Sequence, residues 1–147
     1  MSTSDEVQPA FQILNEERGS EPQCIEFSIG QPDAEGWRRC KAQIRLNSMP
    51  DITFGEFSLC DEDLVNWGRV LREVAGLRKG EVDFEPMEPA FRMIVSASLR
   101  GYDLSFVFDT AFIAGRISTG SGIGCQLSTS PESLDKFADF LATCLAS

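Results

Sequence analysis

Three groups of residues have types and spacings that could do chemistry: a glycine-rich run, five cysteines and clustered carboxylates. The run Gly115-Arg116-Ile117-Ser118-Thr119-Gly120-Ser121-Gly122-Ile123-Gly124 has the glycine density of a phosphate-cradling loop. A P-loop ends in Gly-Lys-Ser/Thr, whose lysine reaches the phosphates, and Gly120-Ser121-Gly122 carries no lysine. A dinucleotide fingerprint opens a helix directly after its glycines, whereas Cys125–Ser128 reads as extended. The run is therefore expected to be a hairpin turn between two strands. Cys24, Cys40, Cys60, Cys125 and Cys144 are odd in number and include no close pair, so neither a zinc cluster nor a disulfide framework is indicated. They point to free thiols in a reducing cytosol, most of them packed as small hydrophobes.

Asp61-Glu62-Asp63 lacks the spacing of a calcium-binding loop. It is expected instead to open a helix, where carboxylates meet the positive end of the helix dipole. Glu81, Asp83, Glu85 and Glu88 could supply a catalytic carboxylate pair, but nothing around them suggests a sugar-binding groove, and a solvated connection is expected. Histidine is absent altogether. That removes the commonest general base, the usual nucleophile triads and the most frequent transition-metal ligand. No catalytic residue, metal site or cofactor is expected, and the chain reads as a binding protein, not an enzyme.

The elements that would carry these residues are read from hydrophobic periodicity. The 147 residues suit one domain, with 42% hydrophobic and 24% charged residues. Residues 1–21 are expected to form a flexible or peripheral acidic arm whose Phe11, Ile13 and Leu14 dock on the body or make a first edge strand; residues 22–147 form the domain. Strands are expected at Cys24–Ile29, Arg39–Asn47 and Ile52–Leu59, the last with a bulge where alternation slips at Gly55-Glu56. A helix follows, with Leu64, Trp67, Gly68, Leu71, Val74 and Ala75 at helical spacing and Arg78-Lys79 before Gly80 as its stop signal. A short strand near Val82–Phe84 leads to a hairpin of Phe91–Leu99 and Leu104–Phe108 turning at Arg100–Asp103. Further strands are expected near Phe112–Ser118 and Gly122–Ser128. Ser130-Pro131 then caps a last helix with an apolar stripe of Leu134, Phe137, Ala138, Leu141 and Leu145. Strands come in consecutive runs, so the expected fold is α+β: a single antiparallel β-sheet of about 6–8 strands with two helices packed on one face. No internal repeat is visible.

The formal net charge is −10, from 23 acids and 13 bases. Such a chain repels nucleic-acid phosphates and anionic membrane surfaces, and steers a basic protein toward itself. Residues 1–35 hold eight acids against the single base Arg18, and Arg39, Lys41 and Arg45 follow on a basic strand face. Residues 1–10 are polar with Asp5 and Glu6, unlike a secretory leader, and no apolar run approaches a membrane span of about 18 residues. The expectation is a cytoplasmic monomer or homodimer. The residues expected to meet a partner are Glu26, Asp33, Glu35, Asp61, Glu62, Glu81, Asp83 and Glu85, with Trp37, in a polar loop, as an exposed anchor.

The layout resembles the WapI-type immunity proteins of bacterial contact-dependent toxin systems. The resemblance covers roughly residues 40–147. It lies in Ile52-Thr53-Phe54-Gly55-Glu56-Phe57-Ser58-Leu59 leading into Asp61-Glu62-Asp63-Leu64 and the Trp67 helix, in the Phe91–Phe108 hairpin, and in Pro131-Glu132-Ser133-Leu134-Asp135-Lys136-Phe137. It implies a cytosolic antidote that binds and blocks a cognate toxin, often a nuclease with a basic surface, and brings no catalytic residues with it. The alternative is a small scaffold domain that self-associates through a sheet edge.

Overall fold

The structure is a computed structural model that describes residues 8–17, 19–77, 80–98, 101–109 and 122–147, with the backbone alone at 77, 122 and 123. Its elements are β1 (Ala10–Leu14), β2 (Cys24–Pro32), β3 (Trp37–Arg45), β4 (Ile52–Cys60), α1 (Asp61–Leu77), β5 (Glu81–Phe84), β6 (Phe91–Ser98), β7 (Gly101–Asp109), β8 (Gly122–Thr129) and α2 (Pro131–Leu145). Four strands and a helix thus occur twice in succession, a repeat of architecture without a repeat of sequence. The expected strand at Phe112–Ser118 and the glycine-rich run up to Ser121 lie outside the described residues, as does the Arg78-Lys79 stop signal. Gly122–Gly124 open β8.

The fold is α+β with antiparallel strands, but the single sheet is corrected to two. One sheet runs β1-β2-β3-β4 and the other β5-β6-β7-β8, each a simple meander. The ladder breaks between β4 and β5 because α1 intervenes: the chain leaves β4 at Cys60, crosses 17 helical residues and re-enters as β5 in the other sheet. Residues 10–14 of the expected arm form the edge strand β1, pairing Ile13 with Ile25 and Phe11 with Phe27. The anticipated bulge is present: Cys40 pairs with Phe57 and Lys41 with Gly55, leaving Glu56 without an opposite residue. Gly101, Tyr102 and Asp103, expected in a turn, belong to β7, with Gly101 already opposite Ser98.

The helices do not simply cover one face of one sheet. The inner faces of both sheets meet, and the helix pair closes the same core. Phe54 of β4 stacks on Phe108 of β7 at 4.3 Å between ring centroids, and Phe57 meets Phe91 at 5.6 Å. Phe27 contacts Phe106 of β7, Trp67 of α1 and Phe137 of α2, each within 6 Å. The abundance of phenylalanine follows from this convergence: rings from six elements meet with no hydroxyl to satisfy, and each burial contributes about 1.5–3 kcal/mol. Trp67 stacks on Phe84, and its indole Nε1 points to Met93 Sδ at 3.1 Å. α2 begins as expected, with Ser130 Oγ accepting from Ser133 N at 3.2 Å and Pro131 in the first turn.

Candidate interaction surface

At the end of the molecule where α1 begins, the fold gathers acidic residues from segments far apart in sequence. The β2–β3 connection supplies Asp33 and Glu35. Asp33 Oδ1 accepts from Glu35 N at 2.9 Å and Trp37 N at 3.0 Å, and Gly36 enters β3 at φ 89°, a conformation glycine adopts without strain. These amide bonds hold the Asp33 carboxyl below its ordinary pKa, the Trp37 amide contributing most. Trp37 pairs with Cys60, the last residue of β4, which places the turn beside the start of α1.

The first turn of α1 supplies Asp61, Glu62 and Asp63. Arg38 is 2% exposed, and its Nε donates to Asp61 Oδ1 at 3.0 Å and its Nη1 to Gly30 O at 3.3 Å. The guanidinium thus ties β2 and β3 to the helix start. Asp63 is buried; its Oδ2 accepts from Cys60 N at 3.1 Å and its Oδ1 from Met87 N at 3.0 Å. That second bond fastens the β5–β6 connection, which contains Glu85, Met87 and Glu88, to the same end. Asp109, the last residue of β7, joins it through its amide bond to Ala90 O at 2.8 Å.

The carboxylates divide into two kinds. Asp33, Asp61 and Asp63 hold the local structure. The carboxylates of Glu35, Glu62, Glu85 and Glu88 make no hydrogen bond or ion pair among the described residues, and Glu35, Glu62 and Glu85 are exposed. Half-buried Trp37 and Met87, 61% exposed, give this end its large apolar surface. Trp37 opens β3 instead of lying in a loop.

Of the residues expected to meet a partner, Asp33, Glu35, Trp37, Asp61, Glu62 and Glu85 therefore come together, and three do not. Glu26 lies on the outer face of β2, paired with Arg45 at 3.5 Å. Glu81, at the start of β5, accepts from Ser96 Oγ at 3.1 Å. Asp83 is bound by Arg92 through Nε at 3.1 Å and Nη2 at 2.8 Å. Sequence reading missed Met87 and the buried Arg38. The second had a signal: in β3 Arg38 shares strand parity with inward-facing Cys40, Ala42 and Ile44.

All five thiols are held toward their protonated form. Burial pushes Cys40 and Cys125 up to about 12, and also raises Cys24, Cys60 and Cys144. No group of three or more metal-ligating side chains occurs among the described residues. No described helix is long and apolar enough to cross a membrane. Compared with known proteins, the chain matches no family model and no curated sequence.

Proposed function

We propose that this chain is a non-enzymatic binding domain that captures a basic protein at its acidic end, as an immunity protein captures a nuclease-type toxin. One observation carries the reading: acids from the β2–β3 turn, the α1 start and the β5–β6 connection converge around Trp37 and Met87. Uncommitted carboxylates around an aromatic anchor suit a cationic protein surface, because long-range attraction sets encounter and the apolar centre sets residence. The immunity role rests on the resemblance of residues 40–147 and on this charge.

The test is capture of basic proteins encoded in the same genome, foremost any toxin encoded beside this gene, at about 0.1 M and 1 M salt. The screening length falls from about 10 Å to about 3 Å between these conditions, so binding should weaken steeply. Trp37→Ala and a combined Glu35→Gln/Glu62→Gln variant should lose capture while remaining folded. Salt-insensitive binding, or binding indifferent to these variants, would remove the acidic end from the account. Rescue of growth on co-expression with the captured toxin tests the antidote role itself.

A second reading, self-association as a scaffold, has one observation in its favour. β4 pairs only with β3, leaving its other edge unpaired among the described residues. The Glu56 bulge interrupts that edge, a device that discourages strand addition. Light scattering on the purified chain separates the two: a dimer lost on Thr53→Pro would favour the scaffold.

A further inference from the structure

Between their outer faces α1 and α2 leave a groove of about 600 Å3. Its apolar lining is Leu64, Val65 and Gly68 from α1 with Ala138, Ala142 and Leu145 from α2. Arg72 Nη2 donates to Asp139 Oδ1 at 2.6 Å and ties the two helices together beside it. Val65 stands at the groove 54% exposed.

Gly68 has no internal reason to be glycine. It lies in the middle of a 17-residue helix, where glycine is destabilising relative to alanine. A Cβ there would meet no atom of a neighbouring element within 4 Å. Packing inside the chain therefore does not require the bare backbone, and the position is open to close approach by a group from outside.

The charges around Val65 say what that group is. Glu62, Val65 and Arg69 follow at intervals of three and four residues, which keeps them on one exposed face of α1. An acid precedes the apolar centre and a base follows it, so the face is complementary to itself when reversed. In an antiparallel pair crossing at Val65, Glu62 stands three residues from the crossing and Arg69 four. Each Arg69 then comes level with the other helix's Glu62 to within one residue's rise, about 1.5 Å. A two-fold axis makes the contact twice. Arg69 is 63% exposed, and its bond to Glu73 at 3.5 Å leaves most of its five N–H donors for a second carboxylate. The Glu62 carboxylate is exposed and holds no bond among the described residues.

We propose that this face is a homodimer interface: a second copy of this chain packs its α1 antiparallel on α1, with Val65 against Val65 and Gly68 of the second copy and Glu62 paired to Arg69 across the two-fold axis. Glu62 is common to this surface and the acidic end, but Val65 and Gly68 are not. Variants at those two positions test the dimer alone, and its failure leaves the capture reading standing.

The test is sedimentation equilibrium of the full chain at about 0.1 M salt, where a dimer with a Kd of about 0.1 mM or tighter is expected. Val65→Arg should weaken it at least about tenfold and leave the urea midpoint of the dilute monomer unchanged. Gly68→Ala should move two readouts in opposite directions. The urea midpoint at about 1 μM, where the chain is monomeric, should rise because alanine is the better helix former, while dimerisation weakens at least about fivefold. Glu62→Arg and Arg69→Glu should each weaken dimerisation by about the same factor, and the double variant, which restores the pair with its signs exchanged, should return to within about threefold of the parent. The proposal is overturned by a chain still monomeric at about 1 mM, by a dimer untouched in Val65→Arg or Gly68→Ala, or by a double variant that shows no rescue. A dimer lost on Thr53→Pro and kept in Val65→Arg belongs to the β4 edge and overturns it equally.

Discussion

Replacing Asp61 by asparagine isolates the charge on the buried Arg38. The two groups differ sharply in setting: the guanidinium side chain is 2% exposed and the carboxylate 59%. Asparagine keeps an oxygen acceptor for Nε at the position now 3.0 Å away, so the hydrogen bond survives and the counter-charge is lost. Opposite unit charges about 4 Å apart attract by about 4 kcal/mol at an effective dielectric constant of about 20 and by about 1 kcal/mol in water. With one partner dry and the other mostly solvated, the expected loss lies between these limits, at about 2 kcal/mol. In a domain of this size that lowers Tm by about 4–8 °C. Arg38→Met should cost less, about 1 kcal/mol, because it removes the dry charge and leaves behind a carboxylate that water already solvates. The double variant should then resemble Arg38→Met alone, giving a coupling of about 2 kcal/mol in a double-mutant cycle. Urea denaturation followed by circular dichroism measures all four proteins. The reasoning fails if Asp61→Asn stays within about 0.5 kcal/mol of the parent, or if Arg38→Met is the more damaging change.

Glu21 is held below its ordinary carboxyl pKa of 4.5 by the amides of Ser48 and Asn47, and Asp33 below 3.8 by those of Trp37 and Glu35. A depressed folded-state value means stability that is complete above the ordinary value and is lost as pH falls through the lower one, so the urea midpoint should drop below about pH 4.5, less steeply in Glu21→Gln. With their thiols pushed up to about 12, Cys40 and Cys125 should resist iodoacetamide at pH 8 in the folded chain and react after denaturation, as peptide mass mapping will show. Gly101→Ala should destabilise by about 1–3 kcal/mol, since the added Cβ meets backbone at Thr129 that cannot swing aside; an unchanged urea midpoint would contradict the packing of β7 against β8.

Local features were legible in the sequence wherever one short segment determines them. Alternation identified β2, β3, β4, β6 and β7, the slip at Gly55-Glu56 identified the bulge, and Ser130-Pro131 identified the α2 cap. Sheet partition was not legible, because the inward residues of β4 and β5 look alike whether their strands pair or part. The deciding fact is spatial: α1 carries the chain across before β5 begins. The same limit applied to the surface. Glu26, Glu81 and Asp83 match Glu35, Glu62 and Glu85 in type and neighbourhood, yet only register shows that Arg45, Ser96 and Arg92 occupy the first three.

That distinction governs how the acidic end must be tested. Asp33, Asp61 and Asp63 face the region where a basic partner would dock, but their carboxylates already terminate the β2–β3 turn, neutralise Arg38 and anchor Met87. Neutralising them loosens the surface as well as discharging it, so lost binding would not separate recognition from folding. Glu35 and Glu85 can be changed to glutamine at little structural cost, since no described group relies on their carboxylates, whereas Glu62→Gln also removes a favourable charge from the first turn of α1. Charge at this end is thus layered: the aspartates, with short side chains, hold backbone amides and Arg38, and the glutamates, with longer ones, remain available. A partner that depends on this end should discriminate between the layers, losing affinity in Glu85→Gln without any change in the urea midpoint, whereas Asp63→Asn should shift the midpoint first.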